Sequence, residues 1–140
     1  MIIEICSRKR AVELAGQTRV KTSIISIVSR EDEDVVFPDN PNILSVLHLK
    51  FNDLTDEYDE EGIPYGRPLP KPEDFSGLKE FAAGLACDLL IVHCWEGKTR
   101  SAAVAKAVCR FMGLSCDLCS KEELSLNPLV YALACRELGI

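Results

Sequence analysis

The sequence lacks any long apolar run, since no stretch approaches the roughly 20 consecutive apolar residues that a membrane-spanning helix needs. It also lacks the pattern of a secretory signal, in which basic residues precede an apolar segment, because apolar residues at 1–6 come before Arg8-Lys9-Arg10. We therefore expect a cytoplasmic protein without a membrane partner. The basic triplet is interpreted as a solvated helix face, with binding of an acidic partner as the alternative.

Basic residues are in deficit, with 16 Lys and Arg against 22 Asp and Glu and a formal net charge of −6. This balance disfavours general nucleic-acid binding, because the phosphate backbone is itself negative. The seven cysteines are an odd number, which, without a secretory signal, disfavours a disulfide framework and favours reduced thiols. We find no internal repeat and no low-complexity tract.

The length of 140 residues and the hydrophobic fraction of 47% predict one domain over residues 1–140, which we expect to be a monomer. Apolar and β-branched runs predict strands, and helical periodicity with caps predicts helices between them. The predicted strands cover 2–6, 22–28, 42–51 and 89–94, and the predicted helices cover 8–15, 73–86, 101–112, a short segment from 120 and a last one from 128. Proline and glycine predict a loop over 62–72. This alternation predicts an α/β fold with a central, largely parallel sheet of four to five strands flanked by helices.

The most informative stretch begins with the apolar run that ends in His93 and Cys94. A short polar loop containing Gly97 follows, and an alanine-rich helical segment begins after Arg100-Ser101. A strand, a short loop and a helix point several backbone N–H groups and a helix N-terminus at one place, where an anion is stabilised. A cysteine there has a lowered pKa, and arginine offers two parallel donors to phosphate. The pattern predicts phosphoryl transfer through a cysteinyl-phosphate, with Cys94 as nucleophile and Arg100 as clamp.

The pattern His-Cys-x-x-Gly-x-x-Arg-Ser over residues 93–101 resembles the signature loop of the protein tyrosine phosphatases. The pair Glu96-Gly97 and the late position of the loop resemble the dual-specificity branch. The resemblance implies a cysteine-phosphatase fold and hydrolysis of phosphomonoesters, in a phosphorylated protein or a small molecule. Phosphotyrosine is the main expected group, with phosphoserine and phosphothreonine as further candidates. It implies no metal and no organic cofactor.

The resemblance also implies roles for the residues around the cysteine. Ser101 would donate a hydrogen bond to the sulfur when it leaves, and His93 would hold the loop from below. The backbone amides of the loop would bind the substrate phosphate; they belong to Trp95, Glu96, Gly97, Lys98 and Thr99. Phosphoinositide phosphatases of this superfamily carry a lysine at the position of Lys98, and they usually carry another one directly after the cysteine. This chain has Trp95 at the latter position, and this difference disfavours a lipid substrate. Trp95 is either a wall for an aromatic substrate or a packing residue on a neighbouring loop.

Such a mechanism needs a general acid that protonates the leaving oxygen. Asp53 is the predicted acid, because it follows the third predicted strand, whose carboxyl end should lie near the loop. Dual-specificity phosphatases carry their acid after such a strand, and the longer spacing to Cys94 is explained here by the insertion at 62–72. Asp56 is the alternative acid, and Glu57 and Asp59 are more distant candidates.

Other functions share parts of this pattern. A non-enzymatic pseudophosphatase that docks a phosphorylated partner would keep the phosphate cradle but lack a usable acid. Phosphoinositides and RNA 5′-phosphates are alternative substrates. Low-molecular-weight phosphatases carry the loop near the N-terminus, thiol arsenate reductases need further shuttling cysteines, and rhodanese-like phosphatases lack this glycine pattern.

The remaining cysteines and the second histidine leave weaker alternatives. Zinc binding by Cys109, Cys116, Cys119 and Cys135 is disfavoured, because the spacing lacks a second close pair. A regulatory disulfide of Cys94 with Cys6 or Cys87 is a further alternative. His48, on a predicted strand without a visible partner, is interpreted as structural.

Overall fold

Four parallel strands form the centre of the protein in the computed structural model, which describes residues 1–114 and 126–140. They are β1 (Ile2–Ser7), β2 (Thr22–Val28), β3 (Ile43–Lys50) and β4 (Leu89–Cys94). The strands lie side by side in the order β1-β4-β2-β3, and every neighbouring pair is parallel. The predicted strands and the predicted α/β fold class are confirmed, with four strands in the sheet.

The two inner strands are the most deeply buried ones. All residues of β2 are buried, and β4 is buried from Leu90 to its end. Inner strands of a parallel sheet are covered on both faces, whereas β3 lies at an edge and is partly exposed. In the register of the sheet, Cys94 pairs with Ser7 of β1 and His93 pairs with Ser26 of β2. The last residues of β4 therefore lie in the middle of the carboxyl edge of the sheet.

Helices cover both faces of the sheet. The first helix, α1 (Arg8–Gln17), begins at the predicted cap, since the Ser7 hydroxyl accepts a hydrogen bond from the Arg10 amide at 3.2 Å. It packs through Ala11 and Ala15 in one core cluster, which includes Ile91 of β4. Alternate residues of β4 belong to a second core cluster, together with the remaining helices. Because successive strand side chains point to opposite faces, these helices lie opposite α1. They are α2 (Leu78–Ala83), α3 (Arg100–Phe111) and α4 (Pro128–Leu138).

The predicted continuous helix over 73–86 is wrong. The chain instead forms a 3-10 turn over Pro72–Phe75 and then α2, which is only six residues long. Gly77 separates them with a φ of 91°, in the left-handed region that a helix interior does not use. Apolar periodicity continues across this break because Phe75 and Leu78 both enter the core.

The predicted loop at 62–72 contains no helix or strand up to Pro72, where the 3-10 turn begins. An isolated antiparallel bridge joins Pro64 of this loop to Tyr58, which precedes it. The predicted helix from residue 120, and with it Cys116 and Cys119, lies outside the described residues. Among the helices of residues 1–114 and 126–140, none has the length and apolar character needed to cross a membrane.

Candidate active site

The residues predicted for the signature loop surround a cavity of about 320 Å³ at the carboxyl edge of the sheet. Strand β4 ends at Cys94, the loop covers 95–99, and α3 begins at Arg100. The cavity is lined by Asp53, Cys94, Trp95, Glu96, Lys98, Thr99 and Arg100. The structure thus brings together residues that lie more than forty positions apart in the chain. A parallel sheet generally binds ligands at this edge.

The sulfur of Cys94 is buried, with the residue only 2% exposed. The Gly97 amide donates a hydrogen bond to this sulfur at 3.3 Å, and the Ser101 hydroxyl lies 3.2 Å from it. Burial alone would raise the pKa of Cys94. The hydrogen bonds from Ser101 and Gly97 and the charge of Arg100 outweigh burial, so that the pKa lies below its ordinary value. The site therefore favours a thiolate.

The loop keeps its shape by packing against the junction of β1 and α1. Gly97 has a φ of 75°, and a Cβ atom added to it would lie 2.3 Å from the carbonyl carbon of Cys6. The Arg8 amide donates a hydrogen bond to the Trp95 carbonyl at 3.3 Å. Only glycine fits this close approach of two backbones. The amides of the loop are consequently held in one arrangement around the sulfur.

Arg100 is 6% exposed, which is unusual for an arginine. One terminal nitrogen donates hydrogen bonds to the Ser29 hydroxyl at 3.1 Å and the Phe51 carbonyl at 3.0 Å. Its Nε is buried and has no hydrogen-bond acceptor among the described residues. A buried donor without an acceptor is costly, by roughly 1–3 kcal/mol. An oxyanion in the adjoining cavity would supply the acceptor.

His93 lies beneath the loop, fully buried. Its Nε2 is 2.7 Å from the Ser26 hydroxyl, its Nδ1 is 3.3 Å from the Cys94 carbonyl oxygen, and the Phe37 ring stands edge-on to it. Burial lowers the pKa of His93 to about 4. The imidazole is therefore neutral at neutral pH and connects β2 to the end of β4. This placement supports its predicted role as a holder of the loop.

The burial of neutral His93 makes the stability of the protein depend on pH. Its pKa is about 4 when folded, against 6.5 for the unperturbed group, so the unfolded chain binds the proton more tightly. We expect the free energy of unfolding to fall by roughly 2–3 kcal/mol as the pH falls from 7 to about 4.5. Urea denaturation at several pH values measures this. His93→Asn should flatten this part of the curve, and a pH dependence of this variant equal to that of the wild type would contradict the assignment.

The carboxyl group of Asp53 faces the same cavity. One oxygen accepts a hydrogen bond from the Thr99 hydroxyl at 2.5 Å, and the other accepts one from the Asn127 side-chain amide at 2.9 Å. The alternative acids lie elsewhere. Asp59 accepts hydrogen bonds from two amides of its own turn, and Glu57 lines a separate pocket in the insertion. Neither they nor Asp56 line the cavity at Cys94.

Asn127 is a site residue that the sequence pattern reveals only as a helix cap. It does cap α4, by accepting hydrogen bonds from two amides of the first turn. Its side-chain amide also donates to Asp53 and to the Leu54 carbonyl, and its backbone amide donates to the Thr99 carbonyl. It is 5% exposed. One side chain thus joins the segment after β3, the end of the loop and α4, a contact that no local pattern encodes.

Three side chains of the loop remain at the surface, those of Trp95, Glu96 and Lys98. Lys98 is exposed at the rim of the cavity. Trp95 is 63% exposed, and the guanidinium of Arg8 lies over its ring at 5.7 Å. The indole therefore does not bury itself on a neighbouring loop, and it forms a wall of the cavity.

The proposed disulfides of Cys94 do not fit the fold. Strand β4 extends from Leu89 to Cys94 in five steps of about 3.3 Å, and Cys87 lies before its start, so the two cysteines are farther apart than the roughly 7 Å between Cα atoms that a disulfide allows. The alternative with Cys87 is wrong for this reason. Cys6 belongs to the core cluster on the α1 face, whereas Cys94 belongs to the cluster on the opposite face. Burial also raises the pKa of Cys6 to about 12, which disfavours its thiolate.

Comparison with known proteins gives the class of fold. No protein-family model matches the chain, and no curated protein matches it by sequence. Among solved structures, the crystal structure of human DUSP28, a dual-specificity phosphatase, is similar with a TM-score of 0.57 and 19% sequence identity; the match covers 98% of this chain and 91% of that one. The chain therefore has the α/β fold of that phosphatase structure, with a central parallel sheet flanked by helices. At this identity the likeness concerns the fold alone.

Proposed function

We propose that the protein is a cysteine-dependent phosphatase that hydrolyses phosphomonoesters, with phosphotyrosine in proteins as the main substrate group. The observation that carries the proposal is the buried guanidinium of Arg100. Its Nε lacks an acceptor next to a cysteine whose pKa is lowered. A guanidinium and a thiolate around one cavity suit a phosphoryl group, which needs both a nucleophile and a neutralising donor.

In the first step, the Cys94 sulfur attacks phosphorus, an S–P bond forms, and the P–O bond to the leaving group breaks. Arg100 and the amides of residues 95–99 hold the three equatorial oxygens, where negative charge accumulates in the transition state. Asp53 lines the same cavity, and it transfers its proton to the leaving oxygen.

In the second step, water attacks the phosphocysteine, an O–P bond forms, and the S–P bond breaks to release phosphate. Asp53, now ionised, accepts the proton of that water. The Ser101 hydroxyl, 3.2 Å from the sulfur, donates a hydrogen bond to the departing thiolate. The enzyme returns to its starting state without a metal ion or an organic cofactor.

Two features distinguish this proposal from its alternatives. A pseudophosphatase needs the cradle, which is formed by the loop at 95–99 and Arg100, but it needs no general acid. Here the carboxyl group of Asp53 is fixed by two hydrogen bonds beside the cradle. A phosphoinositide or RNA 5′-phosphate substrate would be favoured by more basic residues around the cavity, but its wall next to the cysteine is Trp95. We propose a single-domain, monomeric enzyme of the cytoplasm that acts on phosphorylated proteins and not on nucleic acids.

Substitution of Arg100 tests the proposal. The wild type should hydrolyse p-nitrophenyl phosphate in the presence of EDTA, and vanadate should inhibit it competitively. Arg100→Lys keeps the charge but loses the two-pronged donor, and we expect kcat/KM to fall by about 10²–10³-fold. The matched control is Arg110→Lys on the exposed face at the other end of α3. Absence of turnover in the wild type, or equal kcat/KM for both variants, would overturn the proposed function.

A further inference from the structure

A second cavity adjoins the candidate active site and shares a wall with it. This groove has a volume of about 720 Å³ and is lined by Arg8, Lys9, Val12, Glu13 and Trp95. Trp95 also lines the cavity at Cys94, so the indole stands between the two. A ligand held at Cys94 that extends past Trp95 enters the groove formed by the first two turns of α1.

The groove keeps a fixed position relative to the candidate active site. The first amide of α1, that of Arg8, donates to the Trp95 carbonyl. The backbone before α1 is so close to Gly97 that no side chain fits between them. The two cavities are therefore parts of one continuous surface, which a single ligand can occupy.

The groove carries an excess of positive charge. Glu13 is paired with Arg10 at 3.3 Å, whereas neither Arg8 nor Lys9 forms a salt bridge with any carboxylate of the described residues. Arg8 lies over the indole, where a cation and an aromatic face attract each other. In a chain with a net charge of −6, this is a local site of opposite sign. Such a patch attracts acidic ligands at short range, within the screening length of about 8–10 Å.

We propose that this groove binds the acidic segment that flanks the phosphorylated residue of a protein substrate. Carboxylates of that segment pair with Arg8 and Lys9, and an apolar side chain packs on Val12 and the indole of Trp95. The proposal rests on the proposed function, because the phosphate of the same substrate occupies the cradle at Cys94. Arg8 and Lys9 of the basic triplet are thus determinants of specificity and not merely part of a solvated helix face.

The test compares three phosphotyrosine peptides that share one leucine and differ only in their flanking residues, which are acidic, neutral or basic. The quantity measured is the ratio of kcat/KM for the acidic peptide to that for the basic peptide, because a change in the chemical step cancels in this ratio. We expect the wild type to prefer the acidic peptide by about tenfold at low ionic strength, consistent with two weakly screened surface ion pairs.

Charge reversal in Arg8→Glu/Lys9→Glu should invert this ratio. The matched control, Arg19→Glu/Lys21→Glu, makes the same change of charge at exposed positions before β2, at the opposite edge of the sheet. Its ratio should stay within about twofold of the wild type. Turnover of all peptides with a ratio near one, or a ratio that both double variants change equally, would refute the proposal that the groove binds an acidic segment. Either result would leave the proposed phosphatase function intact. Turnover of no peptide and of no small phosphomonoester would overturn the proposed function itself.

Discussion

Replacing Cys94 by serine is expected to abolish phosphatase turnover while leaving the binding of oxyanions nearly intact. The hydroxyl of serine is a far weaker nucleophile than a thiolate, and loss of the nucleophile lowers kcat by roughly 10⁴-fold or more. The loop and Arg100 have contacts other than the sulfur, since the loop is packed on Cys6 and the guanidinium is held by Ser29 and Phe51. The serine hydroxyl can still accept the hydrogen bond from the Gly97 amide. Steady-state kinetics and calorimetric titration with vanadate measure the two effects separately.

A matched variant is Cys87→Ser, which makes the same chemical change just before the opposite end of β4. It should keep wild-type turnover within about threefold, because a small substitution at a half-buried position changes the free energy of unfolding only slightly. Turnover by Cys94→Ser at the wild-type rate would exclude Cys94 as nucleophile. Loss of vanadate binding in Cys94→Ser together with a native thermal transition would contradict the expectation that the loop and Arg100 bind an oxyanion without the sulfur.

Replacing Asp53 by asparagine is expected to give a loss of activity that depends on the leaving group. A general acid contributes about 10²–10⁴-fold where the leaving oxygen is strongly basic. We expect kcat for phenyl phosphate to fall by about 10²–10³-fold and kcat for p-nitrophenyl phosphate to fall much less, because p-nitrophenolate leaves without a proton. A plot of log kcat against leaving-group pKa should therefore become steeper.

The matched control is Asp56→Asn. Asp56 is close to Asp53 in the sequence and is exposed, but it does not line the cavity. It should leave the slope of that plot unchanged. If Asp56→Asn steepens the plot and Asp53→Asn does not, the acid is Asp56. If neither variant changes the slope, neither Asp53 nor Asp56 is the general acid.

The sheet could be predicted from the sequence because its strands are continuous apolar or β-branched runs. The strands β2 and β4 are buried on both faces, so most of their side chains are apolar or β-branched, and the buried polar ones, such as Ser26 and His93, bond to each other. The caps of α1 and α4 were also predictable, since Ser7 and Asn127-Pro128 act within one turn of their own position. Strand order was not predicted, because pairing depends on contacts between distant segments.

Errors and omissions arose where local and distant contacts compete. Apolar spacing continued through Gly77, and the break in the helix comes from the backbone and not from side-chain polarity. The second role of Asn127 requires Asp53, which lies 74 positions away. The contacts that hold Arg100 come from Ser29 and the Phe51 carbonyl, a hydroxyl and a backbone group that carry no sequence signal for anion binding.

Trp95 stands between the cradle and the groove with a largely exposed ring, and it is the single tryptophan of the chain. Indole emission from this protein therefore comes from one known position, beside the cation of Arg8. Ligands that enter either cavity change the solvent and the charge around that ring. The protein thus carries a built-in optical reporter, by which vanadate and peptide titrations can be followed without labelling.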